Sequence, residues 1–463
     1  MEMQISSSIV RWYTILLLVF VALATQVCGN KELVYFFVSF EFVLGLSLVS
    51  SNGRGITAYP SIFLILMYLF HGSYFFLWLL DYQIENVVVE FIAVPVWIQN
   101  AKFCVWFFCL YSIGVEMSSF VENRGSFPKT SVNGGYNPQK IGFVLAVLCI
   151  IPRLYIDVSK IIAYKRGGYL ATFSSIEFGF LETLAQGFYY GLLFMMIGYR
   201  DDERKCRNLL AISLVFAIAG ILSGRRQEII VFIVTLFFVY YRYCRKKIYT
   251  KGDAWRNIKI FGAVFFLISV IATVGDLRQT GEISMETFLT MFLKNVSYEL
   301  LFDQMSEFGY ASFTLSASIE YFSEAGFGLG LNYLTSWLQI IPNIGGVHSL
   351  LTDTFSFVSF LPHYYQYWLG GSFLGEMFFN FGHYSYIFMF FTGFFFGKLG
   401  GLLDININID RNYKLRFLVA ILFIPLSFLW IRGDFTYIPR SLIWYTIMII
   451  AVSRIKIEQF DNV

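Results

Sequence analysis

The residues best equipped for chemistry in this chain are arginines. Arg225 and Arg226 stand side by side in Leu222-Ser223-Gly224-Arg225-Arg226-Gln227-Glu228. Arg278 follows a hydrophobic run, and Arg432 and Arg440 bracket Arg432-Gly433-Asp434-Phe435-Thr436-Tyr437-Ile438-Pro439-Arg440. A guanidinium is planar, stays charged at physiological pH and matches phosphate oxygens two at a time. Several converging on one cavity would clamp a diphosphate. Taken singly, each is as readily a side chain reaching for the headgroups, or half of an ion pair such as Arg432 with Asp434 or Arg226 with Glu228. The set reads as a polyanion site.

Four histidines accompany them. His71 and His383 fall inside hydrophobic runs and read as packed or hydrogen-bonded core residues. His348 and His363 fall in a long polar-aromatic stretch, and His363 stands just ahead of Gly370-Gly371-Ser372-Phe373-Leu374-Gly375-Glu376. An imidazole there could take a proton from a sugar hydroxyl or donate to a phosphate. Glu376 and Glu41 lie at or within hydrophobic runs, where an ionisable group is a functional hypothesis by default. Glu376, beside the glycine pair, is the stronger of the two. Glu299, Asp303, Glu307, Glu320, Glu324 and Asp353 give the same long stretch an acidic balance that suits sugar hydroxyls or simply solvates it.

Other chemistries find no support. There is no GxxxxGK[ST] phosphate loop, HExxH pair, GxSxG elbow or DxD-type pair, which disfavours ATP hydrolysis and nucleotide-sugar chemistry. The six cysteines show no CxxC spacing and read as small core residues, so neither a metal nor another cofactor is expected. A net charge of +3, with no basic block interleaved with stacking aromatics, argues against nucleic acid.

The elements that must position these residues are membrane helices. Of 463 residues, 57% are hydrophobic and 14% charged, whereas a soluble domain carries about 25% charged residues. A spanning helix needs about 20 mostly apolar residues, and such runs fall near 12–28, 33–50, 61–80, 101–118, 140–157, 179–199, 208–223, 228–242, 258–275, 373–396, 416–431 and 440–454. About twelve spans are expected, in an all-α polytopic fold forming a single transmembrane domain over 1–463. Residues 12–27 could pass for a secretory signal, but with so many runs downstream they read as an uncleaved first helix.

Most of the 34 Lys and Arg fall in the links 51–56, 121–139, 200–207, 243–257 and 397–415 and near the ends. The positive-inside rule makes these cytoplasmic, with both termini, and brings the five arginines to the outer face. The longest non-spanning stretch, 279–372, then lies outside. A structureless loop of that length is uncommon, and Phe288, Phe292, Val296 and Leu300, then Leu334, Trp337, Leu338 and Ile341, recur at helical spacing. Interfacial or half-inserted helices capping a cavity are expected there.

This layout resembles the Wzy-type oligosaccharide repeat-unit polymerases of O-antigen and related surface polysaccharides. Aromatic-rich spans, a long outer loop two-thirds along and arginines after it carry the likeness over most of the chain. Gly224-Arg225-Arg226-Gln227-Glu228-Ile229 is similar to the family's Gly-x-Arg segment, which puts the family arginine on Arg226. Residues 432–440 look like its arginine-bracketed turn, and His363 sits where related polymerases carry a loop histidine. The chain departs from the pattern in doubling the arginine at 225 and 226 and in offering His348 as a second loop histidine.

The resemblance implies a metal-independent glycosyltransferase in the inner membrane, with a GT-C-like lipid-donor architecture. The growing glycan on undecaprenyl diphosphate would be the donor and a new lipid-linked repeat unit the acceptor, at the periplasmic face among membrane lipids, with a chain-length regulator protein as partner. In these terms His363, Arg226, Arg432 and Arg440 are the catalytic candidates. Arg225, Arg278, His348, Glu376, Tyr364 and Asp434 are the substrate-binding ones, Tyr364 by stacking on a sugar face. An O-antigen ligase using the same donor, and a flippase of lipid-linked oligosaccharides, remain open at this stage.

Overall fold

The structure, a computed structural model, describes residues 2–51, 55–84, 90–122, 135–174, 180–222, 226–245, 269, 272–273, 285–295, 299–326, 328–341, 357, 370–407 and 413–455. Among them no strand forms, and one isolated antiparallel bridge joins Tyr136 and Tyr413. The first helices are α1 (Glu2–Val27), α2 (Lys31–Ser51), α3 (Tyr59–His71), α4 (Ser73–Leu79) and α5 (Val94–Glu122). Next come α6 (Pro138–Ser174), α7 (Phe180–Gly198), α8 (Glu203–Leu222) and α9 (Arg226–Val239), the last continued by a π turn over Tyr240–Cys244. Within the long stretch are α10 (Met285–Asn295), α11 (Glu299–Phe308), α12 (Tyr310–Ala325) and α13 (Leu331–Leu338). The chain closes with α14 (Phe373–Phe381), a 3-10 turn at Gly382–Tyr384, α15 (Ser385–Ile407), α16 (Leu415–Ile431) and α17 (Tyr437–Ser453).

Among the described residues, Ile9–Val27, Lys31–Ser51, Val94–Ser119, Pro138–Ala163 and Phe373–Asp404 are long and apolar enough to cross a membrane, and the pair α3 and α4 adds a sixth span if it is one broken helix. Ile230–Cys244, Leu415–Ile431 and Ile438–Ser453 are shorter apolar helices. The chain is a polytopic membrane protein. Three expected runs differ from a plain rod. Residues 61–80 break at Gly72 with a bend of 59°. The run from 140 continues as helix to Ser174. The run from 373 passes through a 3-10 turn, with Gly382 at a φ of 52° that favours glycine. Hydropathy reports apolar length and is blind to such breaks. The expected run 258–275 lies almost wholly outside the described residues.

Two compact units emerge, one of Met1–Ser131, Met305–Ile409 and Leu426–Leu442, the other of Val132–Gln304, Asp410–Pro425 and Ile443–Val463. In the first, α5 packs on α2 and α15. Lipid is as apolar as leucine, so membrane helices associate through small residues that let backbones approach. Gly114 and Ser118 on α5 meet Gly393 and Gly397 on α15 in this way: a Cβ at Gly114 would overlap the Phe390 carbonyl, and one at Gly393 the Tyr111 carbonyl. Helix α12 packs inside the same unit, against α14, α5 and α3, with residues 311–319 all buried.

Helix α12 also repairs the break at Gly72. A broken helix leaves carbonyls without intrahelical donors, which hydrocarbon cannot satisfy. The His71 carbonyl accepts from Ser312 Oγ at 3.1 Å, and Asn100 Nδ2 in turn donates to Ser312 O at 2.7 Å and Ser316 Oγ at 2.7 Å.

In the second unit α6 and α7 pair closely, again through small residues. A Cβ at Gly142 would lie 2.5 Å from Met195 N, and one at Gly191 would lie 2.6 Å from Ala146 N. Beside this seam the Arg153 guanidinium is clamped by Asp157, Nε to Oδ2 at 2.7 Å and Nη2 to Oδ1 at 2.7 Å, and lies 4.8 Å from the Tyr189 ring centroid. Both charges are buried. Removing one partner strands the other, at a cost of about 3 kcal/mol or more. Asp157→Asn is therefore expected to lower the melting temperature of the purified protein in detergent by several degrees, with Arg153→Met/Asp157→Leu recovering most of the loss. An Asp157→Asn protein that melts with the parent would remove the pair from the fold's supports.

Candidate functional site

Within the first unit, the segment Gly370-Gly371-Ser372 leads into α14, and Ser372 caps the helix. Its backbone is extended, with φ −155° and ψ 119°, and its Oγ accepts the Gly375 N–H at 3.0 Å. The same hydroxyl lies 2.9 Å from Nε2 of His71, which is wholly buried at the α3–α4 break. His71 is thus a hydrogen-bonded core residue. His383 differs: it is exposed, in the 3-10 turn, with its ring edge-on to Phe322 and Phe378.

Glu376 stands in the first turn of α14, fully buried. Oε2 accepts the Trp430 indole N–H at 2.6 Å, both carboxylate oxygens lie 3.1 Å from the Phe435 N–H, and Oε1 also accepts from Asn332 Nδ2. Trp430 ends α16, Phe435 belongs to the turn between α16 and α17, and Asn332 belongs to α13. One carboxylate therefore ties three segments of the unit to α14. Asn332 Oδ1 passes the chain on by accepting the Phe357 N–H at 3.0 Å. Tyr333 fills the space beside it, stacked on Phe381 and edge-on to Trp430 and Phe435.

The turn is also gripped through backbone. A Cβ placed on Gly371 would overlap the Gly433 carbonyl group, so the two glycines run in direct contact. Asp434 closes the turn by accepting the Thr436 N–H at 2.9 Å. Burial pushes its carboxyl above the ordinary aspartate range, and the Thr436 bond pulls it part of the way back.

Arg432 and Arg440 flank this turn, both half-buried. The charge of Arg432 reaches Tyr310 at the start of α12: burial pushes that phenol up and the guanidinium draws it down. Arg440 lies in the first turn of α17, and its Nε is buried without a hydrogen-bond partner among the described residues. A buried guanidine N–H without an acceptor is costly in a finished fold and useful in a binding site. Two guanidinium groups on a fixed turn can hold a multiply charged anion.

Of the residues singled out from sequence, Arg432, Asp434 and Glu376 come together here, with Arg440 on the same segment. Arg226 opens α9 in the other unit, and its side chain lies outside the described residues, as do Arg225, Arg278, His348, His363 and Tyr364 entirely. Sequence reasoning missed Trp430, Asn332 and the His71–Ser372 bond. The Gly370-Gly371 and Gly433 positions were the available signal, because glycine beside a buried acid marks close backbone approach.

A family model described as O-antigen polysaccharide polymerase Wzy matches residues 8–459, nearly the whole chain. The chain belongs to this family. Membership assigns it a role in O-antigen polymerisation, a glycosyl-transfer reaction on lipid-linked oligosaccharide repeat units, as a multi-pass protein of the inner membrane. No curated protein and no solved structure matches it.

Two substitutions test the hold on the 432–440 turn. Glu376→Gln replaces an oxygen facing N–H donors with an NH₂ group and is expected to cost about 1–3 kcal/mol. Gly371→Ala forces the Gly433 backbone away and is expected to cost a similar ~1–3 kcal/mol. Both should lower the detergent melting temperature and shorten surface glycan chains on a gel. Parental melting and chain lengths in both variants would show that the turn is held by something else.

Proposed function

We propose that this Wzy-family protein joins undecaprenyl-diphosphate-linked repeat units at the periplasmic face, within a fold of about twelve spans and GT-C-like architecture whose termini are both cytoplasmic. The growing glycan on undecaprenyl diphosphate is the donor. A non-reducing-end hydroxyl of a new lipid-linked unit attacks the anomeric carbon, the bond to the diphosphate breaks, and undecaprenyl diphosphate leaves while the hydroxyl proton passes to a base. The glycan grows by blocks at its reducing end.

The observation that carries this reading is the 432–440 turn, with Arg432 and Arg440 on its flanks and its backbone fixed by the buried Glu376 carboxylate. Negative charge develops on the departing diphosphate, and cations already in place stabilise it without reorganising. Arginine serves this better than lysine, because its fork addresses two oxygens at once. The sequence adds Arg226, Arg225 and Arg278 to the same task, His363 as the base toward the acceptor hydroxyl with His348 as its rival, and Tyr364 as a platform for a sugar face. Glu376 acts through the turn it holds, and Asp434 through the shape of that turn. Guanidinium charge does the work here that a divalent cation does in other glycosyltransferases. A chain-length regulator is the protein partner this activity calls for.

Purified protein supplied with lipid-linked repeat units alone should build a ladder of glycan lengths. Inertness until a lipid A core is added would instead mean ligation, and movement of the lipid across a liposome membrane without elongation would mean transport. Arg432→Ala and Arg440→Ala should each express normally yet lose about 100-fold in rate, leaving cells with single-repeat glycans. Arg432→Lys should also fail substantially. Parental chain lengths in both alanine variants would end the diphosphate-clamp reading.

A further inference from the structure

Helix α13 is built inside out. Toward the protein it turns Asn332, Thr335, Ser336 and the following Gln339, all buried. Outward it presents Leu331, Leu334, Trp337, Leu338 and then Ile341, all exposed, Leu334 at 60%. A helix resting on a protein in water places these two faces the other way round. The surrounding composition agrees, because Asp, Glu, Lys and Arg are missing from the whole of 325–352, where a soluble segment of that length carries about seven charged residues.

Neighbours in the same unit fix the depth of this face. The Gly328 N–H donates to the Phe379 carbonyl of α14 at 2.8 Å, and a Cβ on Gly330, which caps α13 at a φ of 77°, would lie 3.3 Å from the Phe381 ring. Tyr333 stacks on Phe381 with centroids 5.7 Å apart, and Phe381 stacks on Phe388 of α15 at 4.0 Å. These contacts set α13 beside Phe373–Asp404, a run long and apolar enough to cross a membrane, whose Ile387, Phe388 and Phe391 are exposed in their turn. Through three stacked rings, α13 joins the exposed apolar strip of a span.

A helix of this length rises about 12 Å, far short of a hydrocarbon core of about 30 Å, so it can enter one leaflet but not cross. Irregular backbone at such depth is tolerated only against protein, and the Gly328 bond to Phe379 supplies that support at the entry to α13. A tryptophan among leucines on one face is the composition of a helix at the boundary of acyl chains and headgroups. Its polar face is occupied by protein rather than water.

We propose that the outward face of α13 is a lipid-contact surface, inserted among the acyl chains of the leaflet on the side of the 432–440 turn, and that this insertion steadies the turn through Asn332. Asn332 Nδ2 donates to Glu376 from the opposite face of the helix, and Glu376 in turn accepts the Trp430 and Phe435 N–H groups. Bilayer contact on one side of α13 thereby supports the arginine-bearing backbone on the other. The link to glycosyl transfer rests on the function proposed above; the lipid contact does not.

The test uses the full-length chain in phospholipid nanodiscs, with an NBD fluorophore on Leu334→Cys and, as the aqueous reference, on Asp201→Cys, Asp201 being 78% exposed in a charged turn. The parent, treated alike, supplies the background of its own cysteines. Nitroxides attached to the lipid chains should quench the label at 334 and leave the reference bright, and aqueous iodide should do the reverse. Equal quenching of both labels by iodide would overturn the insertion. So would a label at 334 that neither agent reaches, because protein would then cover the face. A charge in hydrocarbon costs enough to expel a short helix, so Leu334→Asp should slow ladder formation about 10-fold while Leu334→Met keeps the parental rate. Where Leu334→Asp fails to fold, Trp337→Gln on the same face replaces it, with a smaller loss of rate. A folded polar variant that builds the parental ladder would overturn the coupling to the turn. Quenching needs no turnover, so it judges the lipid contact whether or not the chain polymerises.

Discussion

A carboxylate in an apolar interior must find donors for both oxygens or not be there. Glu376 finds them in the Trp430 indole, the Phe435 amide and the Asn332 side chain, and much of the first unit's geometry follows. The Trp430 ring must sit at the end of α16 with its N–H toward α14, the chain must turn at 433–435 so that a backbone amide faces the same oxygens, and α13 must come close enough to lend its asparagine. Each donor is itself immobilised, Trp430 between Phe373 and Phe435 and Asn332 by the Phe357 amide. A buried network satisfied at every member specifies one arrangement strongly, because each alternative strands a polar group. Arginines placed on that turn inherit its rigidity, which is what charge stabilisation in a transition state requires.

Around this centre the unit is built by close approach rather than by hydrophobic collapse. Glycine and serine spaced four apart on α5 and α15 let two backbones touch, and the same device joins α6 and α7 in the other unit. Where a helix is interrupted, the freed carbonyl is met by a buried hydroxyl, as Ser312 meets His71. Within the stretch 279–372, α12 supplies core: its buried hydroxyls alternate with buried apolar residues, and Ser312 and Thr314 meet the His71 and Gly370 carbonyls of neighbouring segments.

How much of this could be read from the residues depended on the kind of signal. Runs of apolar residues located most helices, since the demand for internal backbone bonds acts on every residue of a span. The break at Gly72 was hidden, because a glycine inside an apolar run does not announce whether its helix continues. Glu376 stood out by depth, and the paired glycines near it marked a tight approach, yet nothing in the chain order links residue 376 to 332, 430 and 435. Arg153 and Asp157 passed unnoticed inside the expected 140–157 run, although opposite charges four apart in an apolar helix are the pattern of an internal clamp. His363, His348 and Arg278 carry weight by residue type and family likeness, and their packing lies outside the described residues.

The arginines themselves show why type alone could not sort them. Arg153 has its counter-ion at hand: Asp157 accepts from its Nε, lies 2.7 Å from its Nη2, and Tyr189 covers its face, so its charge is paired inside the fold. Arg440 keeps a buried Nε without an acceptor among the described residues. Both are arginines in an apolar setting, and hydropathy treats them alike. What separates them is the setting of the nearby acids: Asp157 is supplied to Arg153 one helical turn away, whereas at the 432–440 turn Asp434 accepts the Thr436 N–H and Glu376 accepts from Trp430, Phe435 and Asn332. An acid so occupied fixes the turn. The Arg440 Nε, buried without an acceptor among the described residues, stands beside a rigid backbone, the condition under which a diphosphate would be held most tightly as it departs.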